Sequence, residues 1–256
     1  MPRPACARPS RPRTPRRGAV TTLAGVTKAA PTPPESTRSE KGEATRAAIA
    51  AAAQDLFMER GYDKTTMRAV AERAGVSLGN AYYYFASKEH LVQAFYDTVQ
   101  RDHAAAVDQA LGDATDFADR LRITLECWID VAAPMRDFAG KFFKVAAEPT
   151  SPLSPFSEES APAREASIGL YRRVVDGSDL KVPATIRSEL PELLWLYQMG
   201  VVLFWVYDRS DDNKRARTLV RRSVPLVDKL IRLTRVPGVK GVAEDAIGLV
   251  RSLRTL

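Results

Sequence analysis

The chain has 256 residues, 45% of them hydrophobic, enough to bury a sizeable core in one or two domains, and its formal net charge of +7 favours a polyanionic partner. Two cysteines, Cys6 and Cys127, and two histidines, His90 and His103, exclude a disulfide framework and give little support to a soft-metal site or a histidine-dependent nucleophilic triad. No run of 18 apolar residues marks a membrane span, and reduced thiols in a cytoplasm are the expected state.

The positive charge is concentrated at the start. Residues 1–40 carry eight Lys/Arg against two Glu, and eight of the 17 prolines. Such a segment buries too little apolar surface to offset its ordering entropy, so it is predicted to be a disordered basic arm. Its short apolar stretch Ala19–Val26 is broken by Thr and Gly and lacks the apolar core of a secretory signal. The arm reads as a solvated tail, with non-specific phosphate attraction as its sharper use.

A first helix is predicted from Glu43 to Arg60, with Ile49, Ala53, Leu56 and Phe57 on one face and Gly61 at its end. After the link at Tyr62, Thr65 or Thr66 caps a second helix whose inward face is Met67, Val70, Ala71 and Ala74. Gly75 permits a sharp turn, Val76 plugs inward, and Ser77 caps a third helix from Leu78 to Phe85. That helix is under three turns and must be held by its neighbours. Ser87 is expected to cap a fourth helix running to Leu111, with Leu91, Phe95 and Val99 inward.

Two helices joined by a short glycine turn have the proportions of a helix-turn-helix, in which the second helix enters the major groove. Its first residues are Leu78, Gly79 and Asn80. Gly79 lets the backbone approach DNA, and Asn80 offers the donor–acceptor pair that suits adenine. Tyr82, Tyr83 and Tyr84 point about 100° apart and cannot all face a core, so at least one hydroxyl is outward, suited to a phosphate or a thymine methyl. Arg68 faces a guanine or a phosphate, and Lys88 supplies a phosphate charge. A bare helix-Gly-helix is mostly structural. The series Thr66, Ala71, Ala74-Gly75-Val76-Ser77, Gly79, Tyr82, Tyr84-Phe85 and Lys88 is far more specific.

On these residues the segment resembles the DNA-binding domain of the TetR/AcrR family of bacterial transcriptional regulators, continuously over about residues 44–92. The resemblance implies a homodimer with an all-helical N-terminal domain and a divergent helical C-terminal domain. It also implies a palindromic operator, usually bound to repress, and release by a small molecule. By position, Thr66, Arg68, Leu78, Gly79, Asn80, Tyr82, Tyr83, Tyr84 and Lys88 stand where family members meet DNA, with Ala74 and Phe85 in the core. The long N-terminal arm departs from the family pattern.

Beyond Gly112 the periodicity predicts helices over Asp116–Ala132, Met135–Ala147 and Arg164–Asp176, the last closed by Gly177, with a short one at Ala184–Glu189. The Pro/Ser/Glu-rich residues Pro149–Pro162 are expected to be a mobile loop. A further helix begins near Pro191; from Leu193 to Tyr207 only Gln198 and Gly200 are not apolar, so it must be buried on several sides. A polar turn leads into Asn213–Leu233, striped by Val220, Val224, Val227 and Ile231, with a basic face expected to be solvated. Ala243–Leu253 is a candidate terminal helix.

The expected architecture is therefore all-α: an arm over 1–40, a helix-turn-helix domain over 41–90, and a helical ligand-binding and dimerisation domain over 91–256. The helices near 191–207 and 213–233 are the candidate dimer faces. Trp128, Phe138, Phe142, Phe143, Tyr171, Trp195 and Met199 are candidate cavity residues for an apolar or aromatic effector. Gly140, Gly169 and Gly200 serve either close helix packing, the commoner use, or room for a ligand. No cofactor, metal or membrane partner is expected. Two other readings compete: a sequence-neutral basic architectural DNA binder, which the arm supports, and a small-molecule enzyme on a helical bundle, which lacks a nucleophile, base and orienter set.

Overall fold

From residue 35 to residue 133 the sequence holds no proline, and its first stretch is rich in Ala, Glu, Lys and Arg. A helix there meets no proline and, before Gly61, only the single glycine Gly42, which it absorbs. The first helix, α1 (Glu35–Arg60), starts eight residues earlier than the periodicity suggests, because an amphipathic face marks where a helix is packed rather than where it begins. Residues 35–40 thus belong to α1 and not to the arm. The structure, a computed structural model, describes residues 35–148 and 150–236, with positions 238, 241, 245 and 248. The rest of the expected arm, and the candidate helix at 243–253 apart from positions 245 and 248, lie outside the described residues.

Next come α2 (Met67–Ala74), α3 (Leu78–Tyr84) and α4 (Lys88–Leu111). With α1 they enclose one apolar core, including Ile49, Leu56, Phe57, Val70, Ala81, Phe85 and Leu91. The larger bundle follows: α5 (Phe117–Ala132), a 3-10 turn at Ala133–Met135, α6 (Arg136–Ala146), α7 (Ala161–Asp176), the one-turn α8 (Ala184–Arg187), α9 (Leu190–Tyr207) and α10 (Lys214–Leu233). Its core joins Leu121, Leu125, Ile129, Tyr171, Leu194, Trp205, Ala216 and Val220. The described residues contain no strand.

The two cores are not divided at residue 90. Phe138, Phe142 and Ala146 of α6, with Leu153, are buried in the N-terminal core. Leu153 sits in the segment expected to be a mobile loop, and that expectation is wrong for residues 150–160. They form successive tight turns, with Ser154 N–H on the Ser151 carbonyl and Ser157 N–H on the Ser154 carbonyl, each at 3.0 Å. Serine hydroxyls accept the intervening amides, Leu153 N–H on Ser151 Oγ at 3.2 Å and Phe156 N–H on Ser154 Oγ at 3.3 Å. Serine here replaces regular secondary structure as the hydrogen-bond partner of the backbone. Tyr96 and Gln93 of α4 fasten the segment by donating to the Leu153 carbonyl at 3.0 Å and the Pro152 carbonyl at 3.0 Å.

Helix α9 is 18 residues long, enough by length and apolarity to cross a bilayer. Its buried Gln198 accepts a 2.7 Å bond from the Tyr171 hydroxyl, and Leu194, Trp195, Val201 and Trp205 are locked in the bundle. Burial on several sides holds for only part of it. Leu196, Leu203, Phe204 and Tyr207 form an exposed stripe, and Leu226, Leu230 and Leu233 of α10 form another. The basic face of α10 is solvated as expected, with Lys214, Arg215, Arg221, Arg222 and Lys229 exposed; beside it Arg217 reaches Asp130 at 2.6 Å, and Arg221 reaches Glu126 at 2.7 Å, both on α5.

Gly177 closes α7 as expected, though not by a left-handed turn, and three other glycines depart from the commoner use expected of them. Gly177 does not end α7 in a left-handed conformation; its φ is −81°. It is small because the Arg120 guanidinium lies where a side chain would begin, 2.4 Å from an ideal Cβ. That guanidinium donates to the Val174, Arg173 and Ala114 carbonyls at 2.9, 3.0 and 2.7 Å, closing the end of α7. Nor do Gly140, Gly169 and Gly200 serve close helix packing, for an added Cβ would meet nothing within 4 Å at any of them.

Candidate nucleic-acid interface and apolar cavity

The helix-turn-helix is assembled by caps. Thr66 Oγ1 accepts the Ala69 amide at 3.2 Å, and Ser77 Oγ accepts the Asn80 amide at 3.1 Å. Between them Gly75 takes φ +69°, and the Val76 amide folds back onto the Ala71 carbonyl at 3.0 Å. Thr65 is buried, its hydroxyl donating to the Gly61 carbonyl at 2.8 Å, which leaves Thr66 as the cap. Arg73 clamps α2 to α1 through two bonds to the Glu59 carboxylate, at 2.8 and 2.7 Å.

The predicted interface residues divide into two groups. Thr66, Arg68, Gly79, Tyr82 and Tyr83 are exposed, Tyr83 at 81%, and Asn80 is half-buried beside them. Leu78 and Tyr84 are half-buried and pack on the N-terminal core, so they set the helix rather than project from it. Tyr84 meets Tyr83 edge to face at 5.1 Å. Its hydroxyl lies 3.5 Å from an ideal Cβ at Gly42, which puts the early turns of α1 beside α3. A helix starting at Glu43 would not reach this contact.

Lys88 is not the free surface cation expected. Its ammonium donates to the Tyr62 carbonyl at 2.7 Å and sits 3.9 Å from the Tyr62 ring centroid. Tyr62, expected only as a link, joins three elements. Its hydroxyl donates to Glu89 Oε1 at 2.6 Å, and its ring meets Phe57 at 5.5 Å and Phe142 at 5.9 Å. Burial, and then the hydrogen bond to Glu89, hold its phenol well above the usual range, so it remains a donor at neutral pH. Ser87 caps no backbone amide of α4; its hydroxyl is 3.0 Å from His90 Nδ1 instead.

A cavity of about 570 Å³ opens between α4, α5, α6, the 150–160 segment, α7 and α9. Six of the seven expected residues line it: Trp128, Phe138, Phe142, Phe143, Trp195 and Met199. Tyr171 does not. It is fully buried in the bundle core, committed to Gln198. Phe95, Tyr96, Phe156 and Trp205 add to the wall, and Gly200 leaves room there. Tyr96, Phe156 and the polar Gln100, Ser154, Ser160, Arg164 and Ser167 lie outside the predicted set. Helical periodicity places most of their elements, but only the folded 150–160 segment turns them toward one space. Phe138 and Phe142 also stack on each other at 5.2 Å, and Phe138 lies 6.0 Å from Phe57 of α1. The wall of the cavity is thereby the roof of the N-terminal core.

The all-helical fold agrees with the relatives of the chain. The family model for tetracyclin repressor-like C-terminal domains matches residues 120–249, just over half of the sequence, and the model for bacterial regulatory proteins of the tetR family matches residues 49–95. The regulator TtgR of Pseudomonas putida is 42% identical over 99 residues, 38% of this chain and 47% of that one. The transcriptional activator FasR of Mycolicibacterium smegmatis is 36% identical over 85 residues, 33% of this chain and 39% of that one. The chain thus spans less than half the length of these curated relatives in alignment. Among solved structures, a TetR regulator from Nitrosomonas europaea superposes with a TM-score of 0.56 at 18% identity, over 72% of this chain and 97% of that one. Thermus thermophilus FadR, a repressor solved with lauroyl-CoA, gives 0.52 at 21%, over 70% and 93%. At these identities the superpositions show the fold. The families and relatives are transcriptional regulators, not enzymes.

Proposed function

The chain belongs to the TetR family of bacterial regulatory proteins, and from that premise we propose that it is a ligand-responsive repressor that binds a palindromic operator as a homodimer. Thr66, Arg68, Gly79, Asn80, Tyr82 and Tyr83 form the proposed contact surface, with Leu78, Tyr84 and Lys88 holding the recognition helix α3 in place. The exposed apolar stripes of α9 and α10 are the proposed dimer face, four helices meeting across a twofold axis. The proposed effector is an apolar or aromatic molecule in the α4–α9 cavity, and the place of action is the cytoplasm.

The observation that carries this reading is the double membership of α6. Phe138 and Phe142 line the cavity and are buried in the core beneath the helix-turn-helix. An effector that prefers a displaced α6 shifts Phe142 against Tyr62, and Tyr62 holds the first turn of α4 through Glu89 and Lys88. Reorientation of α4 then moves the two α3 helices away from the spacing of about 34–36 Å that a two-half-site operator requires.

Selection from random duplexes with the purified full chain tests the DNA side. A single symmetric motif with a steep loss of affinity in salt is expected. A protein that enriches no motif, or whose affinity vanishes when residues 1–34 are removed, is an architectural binder instead. The sign of regulation is tested by transcription from a promoter bearing the selected motif, which the protein is expected to lower. FasR activates and FadR represses, so that readout decides between them.

A further inference from the structure

The cavity wall is apolar and aromatic almost throughout, and among the described residues lining it Arg164 is the one charged side chain. Its other polar groups have partners. Gln100 Oε1 accepts the Ser167 hydroxyl at 2.6 Å, Gln198 accepts Tyr171, and Ser160 Oγ accepts Gln93 Nε2 at 3.1 Å. Arg164 is used differently. Its Nη1 donates to the Pro155 and Ser157 carbonyls, both at 2.9 Å, and no carboxylate lies within ion-pair distance among the described residues. The two carbonyls pin one corner of the guanidinium. The Nε and Nη2 edge, the fork that receives a carboxylate bidentately, has no acceptor among the described residues.

The position matters as much as the charge. Arg164 and its pinning segment form the solvent side of the cavity, where Phe156 is 61% exposed and meets Trp195 edge to face at 5.3 Å. Trp128, Trp205 and Phe138, also in the wall, are apolar and buried. A ligand matched to both features has an apolar body and one anionic head. The side chains of the wall include no described Asp or Glu to balance a cation.

We propose that the effector is a singly anionic amphiphile, a carboxylate on an apolar body, and that Arg164 is the head-group residue that selects it. The inference rests on the cavity being the effector site. A fixed guanidinium is ready for the head group without first being ordered, so the preference over a neutral isostere is set by a charge-assisted bidentate pair.

The test titrates the full-length protein calorimetrically with decanoate, 1-decanol and decylammonium, and with 2-naphthaleneacetate and 2-naphthaleneethanol as an aromatic pair. In each series the carboxylate is expected to bind at least roughly tenfold more tightly than the alcohol, with decylammonium weakest. Arg164→Gln should remove that preference while alcohol binding persists, which shows the cavity to be intact. Arg164→Lys, keeping charge but losing the fork, should retain part of it. If alcohol and carboxylate bind the wild type equally, or if Arg164→Gln leaves the ratio unchanged, the head-group assignment is overturned and the cavity remains a ligand site. If none of the five probes binds, the cavity reading falls together with it.

Discussion

His103 is buried to 1% exposure on α4, the helix that joins the N-terminal unit to the bundle. Its Nε2 lies 2.9 Å from the Thr124 carbonyl, which makes it the protonated nitrogen of a neutral ring. Its Nδ1 has no partner among the described residues. Burial lowers its pKa from 6.5 to about 4, against a smaller opposing effect of the Thr124 carbonyl. The folded state therefore resists protonation that the unfolded chain accepts. Stability from this group is complete above pH 6.5 and is lost as pH falls toward 4. At 1.36 kcal/mol per pKa unit, the loss is about 2 kcal/mol by pH 5 and about 3 kcal/mol by pH 4. His103→Gln keeps an N–H for the Thr124 carbonyl and removes the titration. Urea unfolding of both proteins between about pH 7.5 and 4 should show the wild type losing about 2–3 kcal/mol more than the variant. A difference that stays flat across this window refutes the burial argument, whatever the absolute stabilities.

Gly75→Ala should cost about 1 kcal/mol by thermal unfolding, because φ is +69° while nothing obstructs the added methyl. Gly177→Ala has an ordinary φ but would displace the Arg120 guanidinium from three carbonyls, so a larger loss of about 2–4 kcal/mol is expected; equal costs at the two sites would refute this contrast. Leu230→Glu, at a position 64% exposed in the single chain, should leave helicity unchanged by circular dichroism and convert the proposed dimer to monomer in sedimentation. Asn80→Ala should change base preference in duplex selection, whereas Arg68→Ala should either shift a guanine position or weaken all sites alike. Lys88→Ala, which removes the strut to Tyr62, should lower the melting temperature as well as DNA affinity.

What the sequence discloses about the site follows the range of the interaction. Caps and turns are decided within three or four residues, so Gly75 and Ser77 can be placed from their neighbours alone, whereas the choice of Thr66 over Thr65 needs the bond from the Thr65 hydroxyl to the Gly61 carbonyl, and Ser87 caps no amide. Aromatic cavity candidates come from helix faces, which periodicity reports. Tyr171 is misplaced by that route because periodicity says that a side chain points inward without saying toward which space. The segment 150–160 escapes for a different reason. Its composition of Pro, Ser and Glu is that of a loop, and only the pairing of serine hydroxyls with local amides, together with Tyr96 and Gln93 some 60 positions away, makes it a wall. Lys88 escapes likewise, since its partner Tyr62 lies 26 residues back along the chain.

Helix α3, at seven residues, is too short to be stable alone. Its position is set by α1, α2 and α4, and α4 is set in part by Tyr62. A regulator built this way needs no large motion at the DNA surface. The recognition helix has no independent preference to overcome, so a small shift of α6 against Tyr62 is passed on without competition from local structure. The bidentate Arg73–Glu59 pair and the Thr66 and Ser77 caps make α1 to α3 move as one body. The compliance is then concentrated where α4 leaves that body. Tyr62→Phe, which deletes the hydroxyl bond to Glu89 and keeps the rings, should therefore loosen this junction and reduce the change in DNA affinity that an effector produces. Such a variant should leave the base preference of α3 intact, and altered base preference would place the hinge within the helix-turn-helix instead.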